Sequence, residues 1–339
     1  MGLLCGLGNY TNKLVQEKDL NRMIALIGAG QLGSRYLQGM AGVERYALRI
    51  WVCDPRGEAR ERAWDRWCEV GGEQSAHEVL LVEGVEELPE EIDLVIVATT
   101  ADLRPAAVEA LSGHSQVRFW ILEKVLAQSV EGLARLRLGV AGAEGCWVNT
   151  TRRLMRWHRE LKQRVAAAPS LSVERSGPQW GLLCNAIHFM DLVAWITGEE
   201  VVAVRRGDGG LRWVDAKRPG FLEAEGELEV RFSGGTVLSL AVDPEEAEGS
   251  LTIVGEEGVY WLDEMQGRGW SPLKEPFDGE LEMQSQLTAP LVEQILTSGT
   301  CGLPTFEESA ALHQPLLAGL LHEWNLDHPH SPATSLSIT

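Results

Sequence analysis

Met23-Ile-Ala-Leu-Ile-Gly28-Ala-Gly30-Gln-Leu-Gly33 carries an apolar strand into a glycine-spaced turn and on into a helical stretch, and the reading of this stretch decides the fold. In a G-x-G-x-x-G turn the first glycine permits the tight bend, the second lets backbone approach a pyrophosphate, and the third allows close helix–strand packing. The helix N-terminus then faces the negative charge. Gly28, Ala29, Gly30, Gln31, Leu32 and Gly33 are therefore expected to cradle a nicotinamide dinucleotide. The next apolar strand, Leu48–Cys53, runs into Asp54, 21 residues past Gly33, where a ribose-binding carboxylate belongs. A carboxylate accepts hydrogen bonds from a free 2′-hydroxyl and repels a 2′-phosphate, so NAD is expected ahead of NADP. Arg56 is the nearby cation able to accommodate that phosphate.

Outward from this stretch, short β-type runs alternate with helical ones: strands over 23–27, 48–53, 79–82, 94–98, 117–122 and 146–149, helices over 31–42, 58–70, 103–111 and 130–141. Such alternation predicts a doubly wound parallel sheet covered on both faces, a Rossmann domain over 23–147. Beyond Asn149 the pattern changes to longer alternating strands with glycine turns (222–232, 236–242, 250–254, 259–262). This predicts an α+β domain over 148–326 with a large open, mostly antiparallel sheet. Helices are expected over 185–197, 284–298 and 307–325. Residues 1–22 read as a polar extension, with Met1 or Met23 as the start, and 327–339 as a loose tail.

Composition narrows the function classes. A chain of 339 residues with 45% hydrophobic content suits two cores. Its formal charge of −19 argues against nucleic acid as a partner, since that needs a basic surface. No apolar stretch approaches the roughly 20 residues that span a bilayer, and the start lacks a secretory pattern, so a cytoplasmic protein without a membrane partner is expected. The six cysteines are scattered without zinc spacing, so no metal is expected.

Three further segments, Val95-Ile-Val-Ala-Thr-Thr100, Trp120-Ile-Leu-Glu-Lys-Val125 and Asn185-Ala-Ile-His-Phe-Met-Asp191, together with a late Pro304-Thr-Phe-Glu-Glu-Ser, make the chain resemble the Gfo/Idh/MocA oxidoreductases. The resemblance extends from Met23 to about Asn325. It implies a Rossmann domain paired with an open-sheet domain, and NAD(P)-dependent oxidation or reduction of sugars, inositols or nucleotide sugars. Thr99, Thr100, Glu123 and Lys124 fall on cofactor-side positions. It implies that Lys124 stands beside the nicotinamide and the reacting hydroxyl, whose proton it relays or whose pKa it lowers. The proline of that family's Glu-Lys-Pro is Val125 here. Of its second signature His188 and Asp191 are present, while the first carboxylate position is Cys184. The motif combination is also similar to a branch encoded with bacterial surface-polysaccharide sugar pathways.

His188, with an unperturbed pKa near neutrality, is expected to join Lys124 as a catalytic residue, the general base for a hydroxyl losing hydride. Asp191 is expected either to orient His188 on the same helix face or to make an interdomain contact. Arg153, in the basic cluster that follows the last Rossmann strand, is expected to clamp a carboxylate or phosphate of the substrate. Asn185 is expected to bind a substrate hydroxyl or cap its helix, and Trp180 to offer an apolar surface to a sugar ring. The expected activity is an NAD(P)-dependent oxidoreductase acting on CH–OH groups of a sugar or nucleotide sugar. The alternatives are a non-catalytic NAD-binding sensor or scaffold, and a reductase of an imine or other non-sugar substrate. An open sheet face apolar at alternate positions is expected to bury itself in a homodimer or homotetramer.

Overall fold

The computed structural model describes residues 21–165, 170–246, 248–256 and 258–339. The extension expected over 1–22 lies almost wholly outside the described residues. The first half builds β1 (Arg22–Ile27), α1 (Gln31–Met40), β2 (Leu48–Cys53), α2 (Gly57–Glu69), β3 (Glu78–Val82), β4 (Glu91–Val97), α3 (Arg104–His114), β5 (Gln116–Leu122), α4 (Val130–Val140) and β6 (Gly145–Val148). The six strands form a parallel sheet in the order β3-β2-β1-β4-β5-β6. Its strands are apolar on both sides because both faces are covered. Ile24, Leu26, Ile50 and Ile96 pack one way, towards Leu37 and Met40 of α1. Ala25, Ile27, Val95 and Val97 pack the other way, in the core that holds Val108 of α3 and Leu136 of α4.

The second half adds α5 (Arg156–Val165), β7 (Ser172–Ser176), α6 (Leu182–Thr197), β8 (Val201–Asp215), β9 (Leu222–Phe232), β10 (Val237–Val242), β11 (Ser250–Gly255), β12 (Gly258–Asp263), β13 (Arg268–Trp270), α7 (Gln284–Ser298) and α8 (Phe306–Asp327). Seven strands make a sheet in the order β13-β12-β11-β7-β10-β9-β8, antiparallel except where β10 meets β7. The inner face, with Leu228, Val230, Leu238, Leu240, Leu251 and Ile253, joins the core of α6 and α8.

Several expectations change here. The outer sheet face divides in two: Val254, Val259 and Trp270 are exposed towards the β13 edge, whereas the β8–β9 side is charged. Arg205 and Arg231 both pair with Glu229 at 2.7 and 2.6 Å, Arg212 pairs with Glu225, and Ser239 donates to Glu227 at 2.6 Å. Charge and polar pairing across β8, β9 and β10 covers that side of the face. The sequence boundary at 147/148 is also not a boundary in space. Leu291, Val292 and Ile295 of α7 complete the first domain's core, and a Cβ on Gly39 of α1 would stand 2.5 Å from Ser285 O.

The tail is not loose. Leu336 and Ile338 are buried, at 3% and 0% exposure. Asn325 at the end of α8 holds Ala333 by both ends of its side-chain amide, Nδ2 donating to Ala333 O at 3.2 Å and Oδ1 accepting from Ala333 N at 2.7 Å. Alternating apolar side chains at 336 and 338, which the Ser/Thr/Pro content of this segment disguises, are the physical reason.

Candidate active site

The turn after β1 is shaped by contacts that only glycine allows. Gly28 has φ +93°, and its N–H donates to Cys53 O at 2.8 Å. A Cβ on Gly33 would stand 1.9 Å from Gly28 O, so α1 packs directly on the turn. At Gly30 the situation is reversed, because a Cβ would meet nothing within 4 Å. That open space ahead of the α1 N-terminus is the room an anion needs there.

It opens onto a cleft of about 1260 Å³ walled by both domains. Gly28, Gly30, Gln31, Leu32 and Asp54 line one end, and Thr99, Thr100, Glu123 and Lys124 continue the same wall. Trp180 and Asn185 face them from the second domain. Ala29 and Gly33 stand behind the surface. Ala29 N–H donates to Asp54 Oδ2 at 2.8 Å, tying the turn to the end of β2. Both Asp54 oxygens also accept from the Arg56 guanidinium, at 3.1 and 3.0 Å. Burial raises the Asp54 carboxyl pKa, but the hydrogen bonds from Arg56 and Ala29 outweigh it and leave the group below the ordinary range. Arg56 itself is 70% exposed, so a ribose hydroxyl can displace it from the carboxylate.

At the other end of the wall, Lys124 reaches across to the second domain. Its Nζ donates to Asn185 Oδ1 at 2.7 Å and to Cys184 O at 2.9 Å. The Lys124–Val125 peptide bond is cis. Beneath Lys124, Glu123 accepts from Tyr36 Oη and Asn149 Nδ2, both at 2.6 Å. Burial raises the Glu123 pKa against the pull of Tyr36, Arg104 and Lys124.

Two residues unforeseen in the sequence hold this end together. Arg104, fully buried, donates to Thr99 O, Val125 O and Leu126 O, joining the two loops that flank Lys124. Burial lowers its pKa to about 10. The signal was an arginine directly before Pro105 in the first turn of a helix, where a cation opposes the helix dipole and needs another reason to be present. Glu223 of β9 accepts from Leu183 N at 2.9 Å and Cys184 N at 3.1 Å, capping an α6 N-terminus whose own Gly181 has no side chain to do so. In sequence it begins the alternating run Glu223, Glu225, Glu227, Glu229 and reads as a solvated strand face.

Asn185 and Trp180, expected on the substrate side, line the same cleft from the second domain. Asn185 both accepts from Lys124 and donates to Trp180 O at 2.7 Å. Trp180 is braced by its Nε1–H to Ala241 O at 2.7 Å. Burial pushes the Cys184 thiol up to about 12.

His188, one turn further along α6, does not line the cleft. Its Nδ1 is buried with no hydrogen-bond partner among the described residues. Burial, and then the charges of Lys124 and Arg152, hold its pKa well below the ordinary histidine value. The imidazole expected to act as the general base is half-buried and stands one turn behind the residues that line the cleft.

Arg153 and Asp191 are corrected as well. Arg153 donates to Asp191 at 2.9 and 2.7 Å and to Glu308 at 3.1 Å, while Thr150 Oγ1 donates to Asp191 at 2.8 Å. With both partners buried (8% and 0% exposed), Arg153 has no access to the cleft and Asp191 does not orient His188. The pair joins the segment after β6 to α6 and α8, and so has an architectural role.

No family model matches the chain, and no curated protein matches its sequence. Its fold does match solved structures. UDP-N-acetylglucosamine 3-dehydrogenase GnnA from Acidithiobacillus ferrooxidans is 21% identical with a TM-score of 0.64, over 89% of this chain and 96% of that one. Scyllo-inositol dehydrogenase from Lactobacillus casei with bound NAD(H) and scyllo-inositol is 15% identical, TM-score 0.62, over 88% and 96%. Biliverdin reductase from Synechocystis with biliverdin and NADP+ is 17% identical, TM-score 0.63, over 87% and 98%. The fold is therefore the one these three enzymes share.

Proposed function

We propose that this protein is an NAD(P)-dependent oxidoreductase that transfers hydride between nicotinamide and a hydroxyl or carbonyl carbon of a sugar or nucleotide-sugar derivative, with NAD as the favoured cofactor. The single observation that carries the reading is the cleft itself: one continuous wall runs from the open space at Gly30, past Asp54, to the Lys124 ammonium. The dinucleotide, when bound, supplies the hydride donor or acceptor. The N-terminus of α1 and the Gly30 backbone would hold its pyrophosphate, and Asp54 its adenosine ribose once Arg56 is displaced.

Lys124 would carry the proton chemistry. Two of its three N–H groups are held by Asn185 and Cys184, which leaves the third for the substrate oxygen. Donating to a carbonyl oxygen that gains charge as hydride arrives stabilises the transition state more than the ground state. In oxidation the step runs in reverse: the neutral Lys124 amine accepts the hydroxyl proton as hydride leaves the carbon, and then passes it to water. Asn185 would set the ammonium's position, and Trp180 would offer its ring to the substrate. His188, half-buried and one turn behind the cleft lining, takes no direct part in this reading.

The similarity of the motifs to the surface-polysaccharide branch supports a nucleotide sugar as the substrate class. The five described cysteines are unpaired, which suits the reducing cytoplasm. The absence of a helix carboxylate at Cys184, and the bound biliverdin in one structure of the same fold, favour a second reading, the reduction of a non-sugar double bond. Turnover of NADH with nucleotide keto-sugars, and of NAD with nucleotide sugars, tests the first reading against biliverdin and cyclic imines. Turnover with a sugar that Lys124→Ala abolishes is the expected result. Activity only on the non-sugar acceptors, or activity unchanged in Lys124→Ala, would overturn it.

A further inference from the structure

The segment Leu336–Thr339 crosses from one wall of the cleft to the other. On the first domain's side, Leu336 N donates to Gln128 O at 3.4 Å, Gln128 Nε2 donates to Ile338 O at 3.0 Å, and Ala101 N donates to Thr339 Oγ1 at 3.0 Å. On the second domain's side, Leu222 N donates to Ser337 O at 2.7 Å, directly before Glu223. Leu336 and Ile338 bury their side chains in the core that also holds Val125 and Leu126. Thr339 lies on the cleft surface with Thr99, Thr100 and Glu223.

We propose that Leu336–Thr339 is a clasp that sets the width of the cleft, and that Thr339 is a positioning residue for the dinucleotide's nicotinamide end. Three features support it. Ala101 N–H precedes α3, and Thr339 Oγ1 is the acceptor that fixes it and with it the Thr99–Ala101 loop. Ser337 O fixes the start of β9, which carries the Glu223 cap of α6 and so the helix that presents Asn185 to Lys124. The apolar pair at 336 and 338 ties both attachments to the packing beneath Lys124. A change in the segment is therefore transmitted to both walls at once.

The assignment of the ligand rests on the dinucleotide reading above, but the clasp itself does not, and the test separates them. Backbone hydrogen exchange is measured on wild type, Thr339→Val, Thr339→Ser and Ile338→Asn, alongside NADH affinity. Thr339→Val should speed exchange at Ala101 about tenfold, the value of one buried hydrogen bond, with Leu222 unchanged. Ile338→Asn should speed exchange at Ala101 and Leu222 together. NADH should bind several-fold more weakly to both variants, and Thr339→Ser should restore wild-type behaviour. Unchanged exchange at both amides in Ile338→Asn would overturn the clasp. Altered exchange with unaltered NADH affinity would overturn the positioning role of Thr339. Altered exchange in the variants, with a wild-type protein that binds no NADH, would uphold the clasp and overturn the dinucleotide reading instead.

Discussion

The two walls of the cleft are built differently. The Rossmann wall comes from turns that immediately follow strands: Gly28 to Gly33 after β1, Asp54 after β2, Thr99 and Thr100 after β4, Lys124 after β5. Each is placed by its own strand, and the parallel sheet aligns those strand ends by its topology. The opposite wall is assembled from α6, the start of β9 and the C-terminal segment, joined by contacts between residues far apart in the chain, such as Glu223 to Cys184 and Ser337 to Leu222. The first wall depends on backbone geometry, whereas the second depends on side chains that hold separate elements in register. Substitutions should therefore fail differently on the two sides.

The largest effect is expected where the walls meet. Lys124→Ala should lower kcat for the preferred substrate by about 10²–10⁴, the usual range for a positioned acid–base group, while thermal unfolding changes little. An equal loss of NADH affinity would instead mark Lys124 as a binding residue of the first wall. Behind the second wall, Asp191→Ala leaves the Arg153 cation buried against a missing partner. Denaturant unfolding should show a loss of about 3–5 kcal/mol, with the Km of whatever protein remains folded close to wild type. A raised Km without lost stability would return Arg153 to the substrate.

A somewhat smaller effect is expected on acidification. His313 accepts from Leu126 N at 3.1 Å through Nε2 and stands 2.8 Å from Ser309 O through Nδ1, a pairing that requires the neutral ring. Burial lowers its pKa from 6.5 to about 4. The unfolded chain therefore binds the extra proton first as pH falls. Stability is complete above about pH 6.5 and declines towards pH 4, by roughly 3 kcal/mol for this group alone. Urea midpoints at pH 7 and pH 5 should show the decline, and His313→Gln should flatten it. An unchanged slope in that variant would assign the acid sensitivity to His188 and His158, which burial also holds below the ordinary range. On the first wall, Asp54→Gly should shift preference from NAD towards NADP by about tenfold or more, read from the ratio of kcat/Km values. Arg56→Ala, which removes an exposed partner, should change stability by less than about 0.5 kcal/mol.

The same division explains what the sequence made legible. The Rossmann strands and the Gly-rich turn follow from local apolar runs and glycine spacing, and they lie within a few residues of the expected bounds. Strand β8 escaped notice because Arg205-Arg206-Gly-Asp-Gly-Gly at its centre reads as a turn. It closes one edge of the sheet, pairing with β9 around an irregularity between Arg206 and Leu211. Strand β7 is short and mostly polar, Ser-Val-Glu-Arg-Ser, yet its neighbours β10 and β11 make it central. Among the residues that line the cleft, Lys124 and Asn185 stand at motif positions visible in the sequence. The burial of Arg153 against Asp191 was not, because a cation after the last Rossmann strand looks the same in sequence whether it faces a ligand or a buried carboxylate. Glu223 and Thr339 reach the cleft only through tertiary pairing, and no local pattern distinguishes them from solvated residues.

The central claim, that the cleft is a dinucleotide site entered at the glycine turn, is tested most directly at Gly30. That residue has φ −64° and ψ −163°, a conformation open to any side chain, and it occupies the N-cap of α1, where aspartate is favoured. NADH titration of Gly30→Asp should show affinity at least about a hundredfold weaker, because the new carboxylate fills and charges the pyrophosphate space, while the melting temperature stays at or above that of wild type. Undiminished NADH affinity in a folded Gly30→Asp protein would contradict the account.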